Sequence, residues 1–254
     1  MLKFLRSTLF ALYMLCVFLP FTGFVALTSW MTLRERYDFV TRWNSRHVLR
    51  AFERILGIRY RVIGRENLPP VPAVYLAKHQ SAWETLAFAE FLPPAAYVAK
   101  RELLRIPFFG WGMAKMPIVT INRSAGKDAL HQVIDQGCAL MQEGYSVVIF
   151  PEGTRTGIGS RRRYKLGGAR LAVEAGCVAV PIAHNAGEFW RRNAFVKQAG
   201  EIVVSIGPAI PTTGRSAEAV SAEVEAWIEA EMRRLFPHHY RVSQASGEPA
   251  RAES

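Results

Sequence analysis

From residue 57 onward the chain alternates between short apolar runs and longer amphipathic stretches. Short runs rich in Val and Ile are typical of buried strands, and apolar positions three or four apart are typical of helices. The runs predict strands at 58–64, 73–77, 95–99, 118–121, 147–150, 178–182 and 202–206. The amphipathic stretches predict helices at 81–91, 127–142, 168–174 and 217–236. Strands that alternate with helices indicate an α/β domain with a mainly parallel sheet covered by helices.

The N-terminal segment has a different pattern. No charged side chain lies between Arg6 and Arg34, and a helix over that interval would be about 40 Å long, enough to cross a bilayer. A cleaved signal peptide is the alternative, but the apolar run is long and no clear small-x-small cleavage site follows it. Pro20 permits a kink or a re-entrant hairpin. We therefore predict a retained membrane anchor built from helix.

The next stretch, residues 33–56, predicts an amphipathic helix with arginines between its apolar positions. Such a helix lies either on anionic lipid or against a protein core, and the neighbouring anchor favours the lipid surface. The chain then divides into a membrane anchor with its amphipathic helix (1–56), the main domain (57–240) and a tail (241–254). The tail is rich in Ser, Ala, Gly and charge, which predicts disorder.

Composition adds a strong positive charge to this picture. The 254 residues include 32 Lys and Arg against 21 Asp and Glu, a net charge of +11, which suits phosphorylated substrates, an anionic membrane surface or nucleic acid. No nucleic-acid module signature is present, so we expect no nucleic acid partner. The basic residues after the anchor outnumber the acidic ones, which predicts that the main domain lies on the cytoplasmic side of the inner membrane.

The three cysteines, Cys16, Cys138 and Cys177, lie singly in apolar segments. Their spacing fits neither a disulfide framework nor a metal site. A reducing compartment and no bound metal are the simplest expectations.

The candidate chemistry begins with His79 and Glu84. His79 falls in a predicted strand-to-helix turn, where ligands bind in open α/β sheets. A neutral imidazole there can take a proton from a hydroxyl, and Glu84 can hold its other nitrogen and stabilise the imidazolium. The alternative is structural, because Ser81-x-x-Glu84 also fits a capping box in which Glu84 only caps the helix.

Further polar residues follow other predicted strands, and a parallel sheet would collect them along one edge. They are Lys100, Arg123, Glu152 with Arg155, and His184 with Asn185. The turn Pro151–Arg155 gives Arg155 a fixed position from which a guanidinium can bind a phosphate with two hydrogen bonds. The arginines at 161–163 fit a solvated loop that meets lipid as well as they fit substrate contact.

These residues resemble the glycerolipid acyltransferases of the 1-acyl-sn-glycerol-3-phosphate acyltransferase (lysophosphatidic acid acyltransferase) family. The family's first motif is His, four residues, then Asp, and His79 to Glu84 is similar except that Glu replaces Asp. The second resembles Lys100–Leu103 with Pro107 and Gly110, ending at Ile121–Arg123. The third, Phe150–Arg155, matches throughout and is the most specific, and the fourth resembles Val180–Asn185.

The resemblance implies transfer of a fatty acyl chain from acyl-carrier protein or coenzyme A to lysophosphatidic acid, with phosphatidic acid as the product. It implies His79 and Glu84 as the catalytic pair. It assigns substrate binding to Lys100, Arg123, Glu152, Gly153, Thr154 and Arg155. No cofactor is implied beyond the thioester co-substrate.

Two other functions remain open at the level of the sequence. One is acylation of another lyso-lipid, such as a lyso-ornithine lipid or a lysophospholipid, by the same pair. The other is a non-catalytic protein that uses its charge to bind membranes or anions, against which the intact pair argues. A serine hydrolase is a weaker alternative, because no Gly-x-Ser-x-Gly turn occurs.

Overall fold

A seven-stranded sheet forms the centre of the protein. The computed structural model describes residues 1–122 and 128–240, with Arg42 described only through its backbone. Arg123 and the predicted tail 241–254 lie outside the described residues. The strands are β1 (Ile58–Ile63), β2 (Val74–Ala77), β3 (Ala95–Lys100), β4 (Ile118–Ile121), β5 (Ser146–Ile149), β6 (Ala179–His184) and β7 (Gly200–Ile206), in the spatial order β1-β7-β6-β2-β5-β3-β4.

The prediction of a mainly parallel sheet is confirmed. Five strand pairs run parallel, and β7 runs antiparallel to β6. The segment between these two strands contains only a four-residue helix, Ala186–Phe189. A parallel crossover usually uses a longer helix that packs on the sheet, and here the chain instead returns along the sheet in the opposite direction.

Ten helices are present in the part of the chain that the structure describes. They are α1 (Leu2–Tyr13), α2 (Leu19–Ala26), α3 (Leu33–Val40), α4 (Arg46–Ala51), α5 (Trp83–Phe91), α6 (Phe109–Met113), α7 (Asp128–Gln142), α8 (Gly167–Glu174), α9 (Ala186–Phe189) and α10 (Ala217–Leu235). They cover both faces of the sheet, so successive side chains of a central strand enter different cores. In β2, Tyr75 and Ala77 join one core, whereas Val74 and Leu76 join the other.

The N-terminal helices form one apolar run, because a single π turn (Met14–Phe18) joins α1 to α2. By length and composition Leu2–Ala26 could cross a membrane, although an apolar core helix would meet the same criteria. One face of the run packs on the domain: the Phe10 side chain is 1 % exposed, and its ring lies 5.0 Å from that of Phe52. The opposite face leaves large apolar side chains exposed, among them Leu5, Leu9 and Leu12.

The helix predicted at 33–56 forms, and the C-terminal part of its apolar face packs on the protein. Helices α3 and α4 are continued by π turns at Thr41–Ser45 and Phe52–Leu56. The apolar positions Val48, Phe52 and Leu56 are buried in the core next to the sheet. Because the protein itself covers this face, the stripe that suggested a membrane surface is a core-packing stripe.

Candidate active site

His79 lies in the turn that joins β2 to α5. Its Nδ1 atom is 2.9 Å from Oε1 of Glu84, and its ring stacks on Phe150 with 4.0 Å between centroids. The side chain is 15 % exposed. A carboxylate can only accept a hydrogen bond, so Nδ1 carries the proton and Nε2 holds the lone pair. The imidazole is therefore fixed as a base with its free nitrogen available at the surface of the turn.

The Glu84 carboxylate both orients His79 and binds the backbone of the turn that precedes the helix. Its Oε1 atom also accepts hydrogen bonds from the backbone N–H groups of Gln80 (2.9 Å) and Ser81 (2.8 Å). Burial opposes ionisation of Glu84, but the hydrogen bonds that its carboxylate accepts from His79 and from the Ser81 N–H favour the charged form, and the carboxyl pKa is lowered. One Glu84 oxygen thus accepts from His79 and also from the Ser81 N–H, which is one half of the predicted capping box, while the helix itself begins at Trp83 with Ala82 as its N-cap.

Glu152 lies beneath the same turn and is fully buried. Its Oε2 atom accepts a hydrogen bond from the backbone N–H of His79 at 2.7 Å. Its Oε1 atom accepts one from the Thr156 hydroxyl at 3.0 Å and lies 2.7 Å from the Lys78 ammonium. Both oxygens are occupied by protein groups, so this geometry leaves no surface of Glu152 for a substrate.

The segment 150–156 is locked to the His79 turn from the other side as well. The backbone N–H of Thr156 donates to the carbonyl of His79 at 2.7 Å. Gly153 has φ of +71°, a left-handed conformation that favours glycine, and a Cβ there would lie 3.0 Å from Cε of Lys165. The turn therefore requires glycine at this position and a fixed backbone around it.

The remaining predicted substrate residues are more open. Arg155 and Thr154 are partly exposed beside this turn, and the Arg155 carbonyl accepts a hydrogen bond from Arg192. Lys100 is exposed at the end of β3, where its backbone pairs with Ile121 of β4, and no hydrogen bond or ion pair joins its side chain to another described residue. The structure thus places Arg155 next to Thr156, whose backbone is hydrogen-bonded to that of His79. Lys100 lies on β3, which is separated from β2 by β5.

His184 and Asn185 support the turn from the strand on its other side. Nε2 of His184 donates to the carbonyl of Lys78 at 2.7 Å, and Nδ1 accepts from the Ala186 N–H at 3.2 Å. Burial lowers the pKa of His184, so this imidazole is neutral and structural. Asn185 donates to Glu188 and accepts from the Val203 N–H, which fixes the end of β6 against β7.

Sequence reasoning missed two clusters. The first joins Lys78 to Glu152 and Glu229, and its sequence signal is a lysine at the end of a strand buried on both faces.

In the second cluster, Oε1 of Glu188 accepts hydrogen bonds from Nε2 of His239 (2.7 Å) and from Nε2 of His238 (3.2 Å). Burial would raise the pKa of Glu188, but hydrogen bonds from His239 and Asn185 lower it. This second cluster fixes the turn at 237–239 to α9.

The arrangement has the parts of a general-base site. An oriented imidazole can deprotonate a hydroxyl, and among the described residues no Ser, Thr or Cys side chain is hydrogen-bonded to the His79 ring. Such a site is suited to activate a hydroxyl of a substrate directly, without a covalent intermediate on the protein.

Separate comparisons with known proteins identify the same family. Residues 59–185 match the family described as Acyltransferase. The chain is 42 % identical over 216 residues to the 1-acyl-sn-glycerol-3-phosphate acyltransferase of Pseudomonas aeruginosa, covering 84 % of each chain. It is 32 % identical over 205 residues to the human 1-acyl-sn-glycerol-3-phosphate acyltransferase beta, covering 80 % of this chain and 73 % of the human one.

A solved structure has the same fold. The crystal structure of the 1-acyl-sn-glycerophosphate (LPA) acyltransferase PlsC from Thermotoga maritima matches with a TM-score of 0.75 at 24 % identity, covering 90 % of this chain and 94 % of that one. The sequence matches and this shared fold agree with each other. The chain therefore belongs to the 1-acyl-sn-glycerol-3-phosphate acyltransferase family and is an O-acyltransferase.

Proposed function

We propose that the protein transfers a fatty acyl group to the sn-2 hydroxyl of 1-acyl-sn-glycerol 3-phosphate and so makes phosphatidic acid for phospholipid biosynthesis. The donor is an acyl-carrier protein or coenzyme A thioester. The hydrogen bond between His79 and Glu84 carries this proposal, because it leaves one imidazole nitrogen free to accept a hydroxyl proton. The names of the relatives from Pseudomonas aeruginosa and human support the acceptor.

In the proposed mechanism Nε2 of His79 removes the hydroxyl proton as the hydroxyl oxygen attacks the thioester carbonyl. The imidazolium is stabilised by the Glu84 carboxylate. The tetrahedral intermediate then collapses, the C–S bond breaks, and the imidazolium returns the proton to the departing sulfur. A thioester is already activated, so the main task of the protein is to orient the hydroxyl and its base. These steps use no metal and no prosthetic group.

The other predicted site residues divide into two roles. We assign phosphate binding to Arg155, helped by Thr154 and the Gly153 turn, because Arg155 combines a partly exposed side chain with a fixed backbone. Lys100 and Arg123 remain proposals as further basic contacts for the phosphate. We assign Glu152 to positioning, because it holds the backbone of His79 and is itself buried.

The reaction is tested with purified protein and a panel of acceptors and donors. We expect phosphatidic acid from lysophosphatidic acid with at least one thioester, and much less product from a lyso-ornithine lipid or lysophosphatidylcholine. A preference for either of the other acceptors would overturn the assigned substrate but keep acyl transfer. If the active-site variants and the wild-type protein acylated nothing in the panel, the function itself would be wrong.

Arg155 offers a test of phosphate binding. Replacing it with alanine removes charge-assisted hydrogen bonds, so we expect the KM for lysophosphatidic acid to rise about 10-fold to 100-fold. Arg162→Ala is the matched control, because Arg162 is exposed on the neighbouring basic loop and has no ion pair within the described residues. Steady-state kinetics measure both variants. Equal effects would show that the loop as a whole, and not Arg155, attracts the substrate.

We further propose that the exposed apolar face of α1 and α2 holds the protein to the cytoplasmic side of the inner membrane. A lysophospholipid acceptor resides in a membrane, and the exposed apolar side chains lie on the helical run whose opposite face packs on the domain. The excess of basic residues after this run supports attraction to anionic lipid headgroups.

Three leucines on one face of α1 test the membrane proposal. Leu5, Leu9 and Leu12 are each more than half exposed, whereas Phe10 packs in the core. Changing the three leucines to glutamate should release most of the protein from anionic vesicles in a flotation assay, with thermal unfolding unchanged. Deleting the whole helix is less informative, because it also removes Phe10. Val71→Glu, at an exposed site before β2, is the control, and release by both variants would contradict a role specific to α1.

A further inference from the structure

Lys78 forms a buried ion pair cluster that the proposed mechanism does not use. Its side chain is 1 % exposed, and its ammonium lies 2.7 Å from Oε1 of Glu152 and 3.0 Å from Oε1 of Glu229. The carbonyl of Ser160 accepts a further hydrogen bond from it at 3.4 Å. The three charged groups come from the end of β2, the turn after β5, and α10. The cluster therefore joins three separate parts of the chain beneath the candidate active site.

Stability alone does not account for this cluster. Burial lowers the pKa of the Lys78 ammonium, but the two carboxylates outweigh it and raise that pKa, so the lysine is charged. The cluster carries two carboxylates and one ammonium, and Oε2 of Glu229 is buried without a partner within the described residues. Burying charged groups costs desolvation free energy, and replacing them with well-packed apolar side chains often leaves a protein equally stable. A role in fixing geometry explains the cluster better.

The geometry that the cluster fixes is that of the His79 backbone. Lys78 holds one oxygen of Glu152, and the other accepts the backbone N–H of His79 at 2.7 Å. The Thr156 N–H donates to the carbonyl of His79 at 2.7 Å. Both backbone polar groups of His79 are thus bound to the segment 152–156, and within the described residues Lys78 is the one basic group that forms an ion pair with Glu152.

We propose that Lys78, held in turn by Glu229 of α10, is a positioning residue that sets the place of His79 and of the segment carrying Arg155. This inference rests on the proposed acyl transfer. In such sites a shift of about 1 Å can cost about 100-fold in rate. The closing helix α10 is then part of the catalytic scaffold, although none of its residues touches the imidazole in the described contacts.

The test is the double variant Lys78→Met with Glu229→Gln. It keeps the side chains close in size and removes one positive and one negative charge, so the formal charge of the cluster stays at −1. The buried Glu152 carboxylate loses its ammonium partner but keeps its hydrogen bonds from the His79 N–H and the Thr156 hydroxyl. We expect kcat for acyl transfer to fall about 10-fold to 100-fold with KM for both substrates nearly unchanged. Turnover is expressed per folded molecule, with thermal unfolding measured on the same preparation.

Glu231→Gln is the matched control on the same helix. Glu231 is also a mostly buried carboxylate of α10, but it accepts a hydrogen bond from Ser205 and pairs with Arg234, away from the His79 turn. We expect its kcat to stay close to that of the wild type. A folded double variant with normal kcat, or a loss of kcat equal to that of Glu231→Gln, overturns the positioning role.

If the double variant does not fold, Glu229→Gln alone decides the question, because it removes a buried charge and leaves the ion pair of Lys78 with Glu152. We expect a several-fold fall in kcat at unchanged KM, and an unchanged kcat contradicts the proposal. Failure of the proposed function is distinguishable, since in that case the wild-type protein itself acylates no lyso-lipid. If the wild type acylates a different lyso-lipid, the same comparison is made with that acceptor.

Discussion

Replacing His79 with alanine is expected to lower turnover about 10²-fold to 10⁴-fold, the usual contribution of a general base. The variant should still fold, because the contacts that hold the turn use the backbone of His79: its N–H binds Glu152 and its carbonyl binds Thr156. The loss should appear in kcat, since the imidazole acts on the reacting hydroxyl. The measurement is steady-state acyl transfer to lysophosphatidic acid.

A control histidine separates the loss of the base from a general effect of mutation. His131 is exposed on α7, and His131→Ala should leave turnover unchanged. Circular dichroism and vesicle binding should be the same for both variants and the wild type. Near-normal turnover in His79→Ala would exclude the proposed mechanism, whatever the state of the other site residues.

Replacing Glu84 with glutamine is expected to reduce turnover nearly as much, about 10²-fold to 10⁴-fold, because the neutral amide cannot stabilise the imidazolium. The amide oxygen can still accept from the backbone N–H groups of Gln80 and Ser81, so the turn before the helix keeps these hydrogen bonds. Some stability should be lost, since the fold lowers the pKa of Glu84 and thus favours its ionised form. Kinetics and thermal unfolding are measured together.

Aspartate at position 84 gives the matched comparison. It keeps the charge on a side chain one methylene shorter, and it is the residue that the family's motif usually contains. We expect Glu84→Asp to retain far more activity than Glu84→Gln, with any loss caused by poorer orientation of the imidazole. A fully active Glu84→Gln protein would show that the carboxylate acts only as a cap and that another group orients His79.

Much of the site was predictable because its signals are local. The motif residues follow strands whose apolar runs are clear in the sequence, and the carboxyl ends of neighbouring parallel strands meet at one edge. This is why His79, Glu152 and His184 could be expected to lie together, and β2 does lie between β5 and β6. The boundaries moved only slightly: Lys100 and His184 are the last residues of β3 and β6, whereas the predicted strands ended at 99 and 182.

The contacts that individual side chains make were harder to predict. Glu152 belongs to the most specific motif and was expected to contact substrate, yet the fold buries it beneath the His79 turn. The helix at 33–56 was expected on lipid, yet Val48, Phe52 and Leu56 on its apolar face are buried in the protein core. A stripe of apolar residues shows that a face will be covered, but it does not show whether lipid or protein covers it.

By itself, the sequence determined the α/β architecture, the order of the motifs and the spacing of the imidazole and its carboxylate, because each depends on residues close together in the chain. The tertiary structure alone decided the antiparallel direction of β7, the face of α1 that packs on the domain, and the pairing of Lys78 with Glu229. Lys78 and Glu229 are 151 positions apart. Contacts at such separation depend on how complete elements pack, and local hydrophobic patterns contain no information about them.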